Sequence, residues 1–366
     1  MSRKRVIVGM SGGVDSAVTA YLLKAAGCDV IGMTLKTWVG GDGKESRCCE
    51  ISDAQAVCDQ LCIPYYVQNS MTAFRAQIIS PFVQEYLCGR TPNPCILCNR
   101  AVKWAALLDA ADTMHADYIA TGHYASVVRL PNGRITVQKG QYNQKDQSYM
   151  LCRLTQEQLM RTVMPLGKLS KADVREIAKS AGIAVAEKAD SQEICFVPDG
   201  NYASFIQENA QQPLPQEGAF SDETGALLGT HHGIYRYTVG QRRGLGIAAG
   251  KPVYVTKIDA ESNRIILGDA ASLLSREIFC DDLCFMGIPE MQPGAQLEAE
   301  VKIRYHHAAQ SAVCRLQDDG RLRIRFQAPV RAAAPGQSAV VYDSAGRILC
   351  SGIIRETASV CAADQS

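Results

Sequence analysis

Val6-Ile7-Val8-Gly9-Met10-Ser11-Gly12-Gly13-Val14-Asp15-Ser16 runs from an apolar strand-like segment through a glycine turn into a helix-like run, Ala17 to Ala26, closed by Gly27. A strand, a glycine turn and a helix N-terminus together make a place to hold phosphate. Glycines let successive backbone N–H groups point at one anion, and the helix end adds partial positive charge. The usual phosphate loop ends in Gly-Lys-[Ser/Thr], and no lysine occurs here. A loop that holds phosphate without that lysine suits pyrophosphate kept as a leaving group better than a γ-phosphoryl in transfer. The bland alternative is an ordinary glycine-rich turn of an α/β domain.

The surroundings of this stretch alternate strand and helix. Residues 6–8, 30–34, 65–67 and 118–120 read as short buried strands, with helical patterns at 17–26, 53–62, 73–87 and 101–111 between them. Such alternation predicts a parallel sheet covered on both faces. Ligands of such sheets sit at the carboxyl ends of the strands. The glycine loop, Lys36-Thr37-Trp38 and Thr121-Gly122-His123 all fall there. Pro131-Asn132-Gly133 marks a hairpin, and Ser170-Lys171-Ala172-Asp173 caps a further helix that ends near Gly182. Residues 211–218 read as a Pro/Gln/Gly linker, after which the pattern turns to period two at 254–258 and 264–267. From about Phe279 short strands follow at 299–304, 312–316, 322–326 and 339–342, which predicts a small β-barrel or sandwich. The expected boundaries are 1–205, 206–275 and 276–366: an α/β nucleotide domain, a small β-rich middle and a C-terminal β-barrel.

A chain of 366 residues with net charge +1 and pI near 7.4 presents no global field for nucleic acid or membrane, so any RNA binding must come from local basic faces. No apolar run reaches the about 20 residues needed to span a bilayer, and the basic start Met1–Arg5 leads straight into the glycine loop. The expectation is a cytoplasmic protein without membrane contact. Fifteen cysteines in a chain of this length argue against a disulfide scaffold, which belongs to small secreted domains.

Two cysteines stand out. Thr91-Pro92-Asn93-Pro94-Cys95-Ile96-Leu97-Cys98-Asn99 holds the chain extended with two prolines just before a helix-like run. A thiol at a helix N-terminus has its pKa lowered, so Cys98 is placed to be a nucleophile. Cys195 is the second, in Asp190-Ser191-Gln192-Glu193-Ile194-Cys195-Phe196. Competing readings are half a zinc site from Cys95 and Cys98, completed by Cys48-Cys49 or Cys88, and inert buried thiols.

The motifs Ser-Gly-Gly-Val-Asp-Ser, Gly-Arg-Thr-Pro-Asn-Pro-x-x-x-Cys-Asn, Ala-Thr-Gly-His-Tyr, Lys-Asp-Gln-Ser-Tyr and Asp-Ser-Gln-Glu-Ile-Cys-Phe occur in that order. The first resembles the PP-loop ATP pyrophosphatases; the set is similar to the bacterial tRNA-specific 2-thiouridylase (MnmA) family across nearly the whole chain. The resemblance implies an adenine nucleotide α-hydrolase-like domain that uses ATP and Mg²⁺ to adenylate the 2-oxygen of uridine 34 in tRNA for Lys, Glu and Gln. Sulfur would arrive as a persulfide on Cys195, from a sulfur-relay protein or a cysteine desulfurase. Cys98 would be the nucleophile that releases it, leaving a Cys98–Cys195 disulfide. Gly9, Met10, Ser11, Gly12, Gly13, Val14, Asp15 and Ser16 would hold the ATP phosphates. Met33 would contact adenine, and Gly122 would lie against the nucleotide. Asn93, Pro94 and Cys95 would border the target base. His123, Lys145, Asp146, Gln147, Arg304, Tyr305 and Gln337 would contact tRNA. No resident metal is expected, and nothing demands more than a monomer.

Many members of that family carry aspartate where this chain has Cys95, which leaves the acid/base role of that position open. Arg321-Leu322-Arg323-Ile324-Arg325-Phe326 and Val301-Lys302-Ile303-Arg304-Tyr305 alternate basic and apolar residues, as a phosphate-tracking face or a merely solvated barrel face would. Gly240-Gln241-Arg242-Arg243-Gly244-Leu245-Gly246 is a basic loop with the same ambiguity. His231-His232 and His306-His307 read as surface or turn residues. Two other readings stay open: a PP-loop synthetase acting on a small carboxylate or carbonyl, and a non-catalytic zinc-bearing RNA-binding protein.

Overall fold

A computed structural model describes residues 3–40, 50–188, 194–197 and 200–359. The chain forms two compact units. The first comprises Met1–Ile78, Pro94–Gly200 and Ala345–Ile348; the second comprises Ile79–Asn93, Asn201–Ser344 and Leu349–Ser366.

The first unit begins with β1 (Arg5–Gly9), α1 (Val14–Ala25), β2 (Asp29–Lys36), α2 (Ile51–Gln60), β3 (Tyr65–Asn69) and a short α3 (Met71–Phe74). After α4 (Ser80–Leu87), which belongs to the second unit, come α5 (Pro94–Cys98), a π-helical turn Asn99–Lys103, α6 (Trp104–Thr113) and β4 (Tyr118–Ala120). The hairpin β5 (Ala125–Arg129) and β6 (Ile135–Lys139), then α7 (Gln156–Met160), β7 (Thr162–Val163) and α8 (Lys171–Ser180) complete it. The five-stranded sheet has the order β3-β2-β1-β4-β7, all parallel, as the alternation predicts. Val6, Ile7 and Val8 are all buried because both faces of the sheet are covered. Val6 and Val8 share one core with Val14, Val18 and Leu23 of α1 and Val174 and Ala178 of α8. Each aliphatic side chain buried there contributes roughly 1.5–3 kcal/mol.

Two boundaries differ from the sequence reading in ways that matter. Met33 pairs with Gly9 inside β2, which runs on to Lys36, so Met33 is not at a strand end. The helix around the cysteines begins at Pro94, not after Asn99, because proline fits the first helical position with its missing N–H and fixed φ. Cys95 therefore occupies the first turn, whereas Cys98, which the sequence reading placed at a helix N-terminus, is the last residue of α5 and lies beyond that turn, so the helix-end argument for activating its thiol does not hold.

In the second unit α4 packs on α9 (Tyr202–Asn209) through Phe82 with Phe205 and through stacked Tyr86 and Tyr202 rings, 4.8 Å apart. A four-stranded sheet follows: β8 (Gly218–Asp222), β9 (Leu227–His231), β10 (Tyr254–Asp259) and β11 (Arg264–Gly268), in the order β10-β11-β8-β9. His231 departs from the sequence reading. It is fully buried, its Nδ1 accepts the Gly233 N–H and its Nε2 faces the Asn263 carbonyl. The last six strands, β12 (Leu274–Phe285), β13 (Gln296–Lys302), β14 (Gln310–Leu316), β15 (Leu322–Arg331), β16 (Ser338–Tyr342) and β17 (Ile348–Ser359), close into a barrel. β12 and β17 escape a period-two reading because bulges at 275/277, 279/280 and 281/284 interrupt their register.

Leu322, Ile324 and Phe326 fill the barrel, as their alternation predicts. The arginines on the other face are largely neutralised: Arg323 pairs with Glu277, and Arg321 with Asp319 and Glu356. Pro335 and Gly336 grip the segment ahead of Asn93. Thr91 donates its N–H to the Pro335 carbonyl, and Gln337 Nε2 donates to the Thr91 carbonyl at 2.7 Å. Gly336 has φ +93°, and a Cβ there would lie 2.9–3.0 Å from the Thr91 backbone. Gly336→Ala is expected to destabilise the second unit by about 1–3 kcal/mol, read as a lowered urea midpoint of its unfolding transition.

Candidate active site

The glycine loop joins β1 to α1 at the centre of the sheet, where β1 lies between β2 and β4 and the strand order reverses. That is the position at which open α/β sheets take their ligands. Two hydrogen bonds lock the loop: Met10 N–H to the Met33 carbonyl (2.8 Å) and the Thr34 hydroxyl to the Met10 carbonyl (2.8 Å). Ser16 Oγ donates to the Gly13 carbonyl and accepts the Ser11 N–H. Gly13 is the N-cap of α1 with extended backbone, and no side chain caps the helix. The first-turn N–H groups of α1 are therefore aimed at whatever occupies the loop. Gly122, after β4, closes the other side: a Cβ there would fall 2.8 Å from the backbone of Asp15 and Ser16.

Side chains from far along the chain complete the loop's surroundings. Lys171, at the start of α8, places Nζ 2.8 and 2.9 Å from the two Asp15 carboxylate oxygens. The buried Tyr124 donates its hydroxyl to the same carboxylate at 2.6 Å. Lys188 Nζ lies 3.4 Å from the Gly12 carbonyl and pairs with both Glu50 and Asp53. Partial burial opposes the charge on Lys188, but Asp53 and Glu50 outweigh it and hold its pKa above lysine's usual value. Arg175 of α8 fixes the backbone ahead of this lysine by binding the carbonyls of Ala186 and Lys188. Sequence reading missed these residues. Ser170-Lys171-Ala172-Asp173 showed only as a helix cap, which it is, with Ser170 and Asp173 forming a capping box. The one indirect signal was the lysine absent from the loop itself.

The cysteines belong to the same unit. Cys98 is buried and Cys95 is half-buried one helical turn before it. The π-helical turn that follows contains buried Asn99, whose Nδ2 donates to the Met150 carbonyl. π-turns inside α-helices are frequent at functional sites. Cys195 is half-buried in a short turn closed by the Val197 N–H to Ile194 carbonyl bond, with Phe196 edge-on to Phe74 at 5.6 Å. Asp190, Ser191, Gln192 and Glu193 lie outside the described residues, as do Cys48 and Cys49. Among the described residues no three His, Cys, Asp or Glu side chains gather to hold a metal ion.

The remaining site candidates divide by their surroundings. Asp146 is buried and accepts the N–H groups of Gly140 and Ser148 and the Ser148 hydroxyl, so its carboxylate organises the 140–148 loop. Gln147 exchanges two bonds with the backbone of Tyr124. Lys145, half-buried, ends the short turn beside them. The His123 ring nitrogen Nδ1 meets Thr121 Oγ1 at 2.9 Å, and the ring lies against Trp104. Desolvation, then the nearby Lys103 charge, push His123 down to about 3, so it is neutral at physiological pH. In the second unit Arg304 donates to the Val239 carbonyl, and Lys302 lies 5.4 Å over the Tyr305 ring in the turn after β13. Arg304, Arg331 and Lys302 lower the pKa of His307 after burial has done so. Asn93 is the last residue of its segment in the second unit.

A parallel sheet with an uncapped helix at its switch point is thus followed in the chain by a closed barrel, the arrangement of an α/β ligand-binding domain with a C-terminal barrel module. Residues 4–199 match the model of the tRNA methyl transferase HUP domain, 203–269 the tRNA methyl transferase PRC-barrel domain and 275–354 the aminomethyltransferase beta-barrel domain. The tRNA-specific 2-thiouridylase MnmA of Lachnoclostridium phytofermentans is 48% identical over 348 residues, which cover 93% of this chain and 96% of that one. That of Acetivibrio thermocellus is 48% identical over 351 residues, covering 94% and 97%. Among solved structures, the U34-tRNA thiolase NcsA of Methanococcus maripaludis aligns at 18% identity over 57% of this chain and 67% of that one, with TM-score 0.35. The chain belongs to the MnmA family of tRNA-specific 2-thiouridylases. No helix among the described residues is long and apolar enough to cross a membrane.

Two outcomes test this geometry. Gly122→Ala drives a methyl group into the first turn of α1, and nucleotide binding measured by calorimetry is expected to weaken by about tenfold or more. For His123 the folded pKa lies below the unfolded one, so only the unfolded chain binds the proton between them. Stability conferred by the neutral ring is full above about 6.5 and is lost as pH falls toward about 3. The His123 Cε1 proton signal is expected to stay at its neutral position from pH 7.5 down to about pH 5 in NMR titration.

Proposed function

We propose that this protein is an ATP-dependent sulfurtransferase that converts uridine 34 of tRNA for Lys, Glu and Gln to 2-thiouridine. The observation that carries this reading is that the phosphate loop Gly9–Ser16, Cys98 and Cys195 all belong to one compact unit. The relatives that share nearly its full length are tRNA-specific 2-thiouridylases.

ATP sits with its phosphates in the loop, where the α1 N–H groups hold the pyrophosphate as it leaves. Met33 and Gly122 border the nucleotide. The C2 oxygen of the target uridine attacks the α-phosphorus; an O–P bond forms, the bond to pyrophosphate breaks and the oxygen becomes part of an AMP leaving group. Mg²⁺, when bound with the nucleotide, would neutralise part of the triphosphate charge. Asp15, the single acidic side chain within the loop sequence, is already bound by Lys171 and Tyr124, so such an ion would rest chiefly on the nucleotide.

Sulfur arrives as a Cys195 persulfide from a sulfur-relay protein or a cysteine desulfurase. The Cys98 thiolate attacks the Cys195 sulfur and expels hydrosulfide. Hydrosulfide adds at C2, AMP departs, and a Cys98–Cys195 disulfide remains for a dithiol reductant to reopen. Asn93, Pro94 and Cys95 border the base. His123, Lys145 and the loop organised by Asp146 and Gln147 contact tRNA near the chemistry, with Arg304, Tyr305 and Gln337 doing so from the second unit. The protein acts as a monomer in the cytoplasm.

Mass analysis of nucleosides from tRNA incubated with the protein, ATP, Mg²⁺ and a persulfide source checks the reading. A sulfur-for-oxygen shift at uridine 34 is expected, lost in both Cys98→Ser and Cys195→Ser while the thermal transition is unchanged. Pyrophosphate release with another acceptor and no thiolation would keep the adenylating chemistry and discard the RNA substrate.

A further inference from the structure

The loop between Gly12 and Ser16 has no lysine, and two lysines from more than 150 residues later in the chain are delivered to it: Lys171 and Lys188. They are not equivalent. Lys171 is bound by both oxygens of Asp15 with Tyr124 beside it, a closed ion pair of net charge zero. Lys188 is shared between Glu50, Asp53 and the Gly12 carbonyl, a group of net charge −1 at the mouth of an anion site. Glu50 is pressed against the loop itself: its Cβ and carbonyl lie 2.7 Å from where a side chain on Gly12 would begin.

We propose that Lys188 is the phosphate-binding lysine that the loop's own sequence lacks, and that Glu50 and Asp53 hold its ammonium until pyrophosphate or the triphosphate tail competes for it. This rests on the reading that the loop binds ATP. Three features carry it. The ammonium stands within 3.4 Å of a loop carbonyl. Its backbone is pinned by Arg175, so only the flexible four-carbon stem has to turn. Two carboxylates beside an anion site repel phosphate unless a cation screens them, and among the described side chains paired with them that cation is Lys188. Lys188 is thus a binding residue, with Glu50 and Asp53 as its competitors.

The competition gives substitutions opposite signs, which a purely structural ion pair does not. Binding of pyrophosphate and, separately, of AMP is measured by calorimetry on the full chain without tRNA. Lys188→Met is expected to weaken pyrophosphate binding by roughly tenfold while AMP binding changes less than about twofold. Lys188→Arg is expected to restore most of it, and Glu50→Gln to tighten it by about threefold, because one competitor for the ammonium has been neutralised. Unchanged AMP binding reports an intact fold. Pyrophosphate binding equal to wild type in Lys188→Met would overturn the proposal, as would weakening in Glu50→Gln that matches Lys188→Met. Failure of the unaltered protein to bind either pyrophosphate or AMP would overturn the nucleotide reading and this inference together.

Discussion

The structure is organised around a helix that starts without a side-chain cap. α1 begins immediately after Gly13, and its first-turn N–H groups are oriented toward the space beyond β1. Buried helix ends normally find partners, so an uncapped end at a sheet's switch point is a standing demand for an anion. The rest of the first unit keeps that end in place. Thr34 holds the Met10 carbonyl, Ser16 holds both ends of the loop, and Gly122 packs against its first turn with no room for a side chain. The covered sheet beneath supplies the stiffness, since Val6, Ile7 and Val8 are buried on both faces.

Charge is handled differently from an ordinary phosphate loop. A lysine within the loop would bring its cation by local chain geometry alone. Here the cations come from α8 and the segment just after it, held by Asp15 in one case and by Glu50 and Asp53 in the other. Each ammonium thus has carboxylate partners within the protein itself. α8 serves both arrangements, with Lys171 at its start and Arg175 one turn later anchoring the backbone of 186–188.

The second unit shows how a motif can act on chain placement. Pro335, Gly336 and Gln337 close on Thr91 through two hydrogen bonds and one contact that only glycine permits. The segment they hold leads directly into Asn93-Pro94-Cys95. Arg321, just before β15, and Arg323 within it, by contrast, spend their charge on Asp319, Glu356 and Glu277, so the alternation there reports barrel packing more than it reports phosphate contact.

The glycine loop, the strand-helix alternation and the two distinctive cysteine segments were legible in the chain because each is a local pattern. A buried parallel strand must be apolar, and a phosphate turn must be glycine-rich. Those residues determined the parallel sheet, the barrel's inward-facing Leu322, Ile324 and Phe326, and the family. The long barrel strands β12 and β17 were not legible, because bulges break the period on which strand reading depends. Nor was the helix start at Pro94, where proline serves equally well to stop a helix or to begin one. Tertiary structure alone decided that Lys171, Lys188, Tyr124, Glu50 and Asp53 meet at the loop. Ion pairs between residues separated by more than a hundred positions leave no periodic trace, since each partner is, in its own stretch of sequence, an ordinary charged side chain on an ordinary helix or turn.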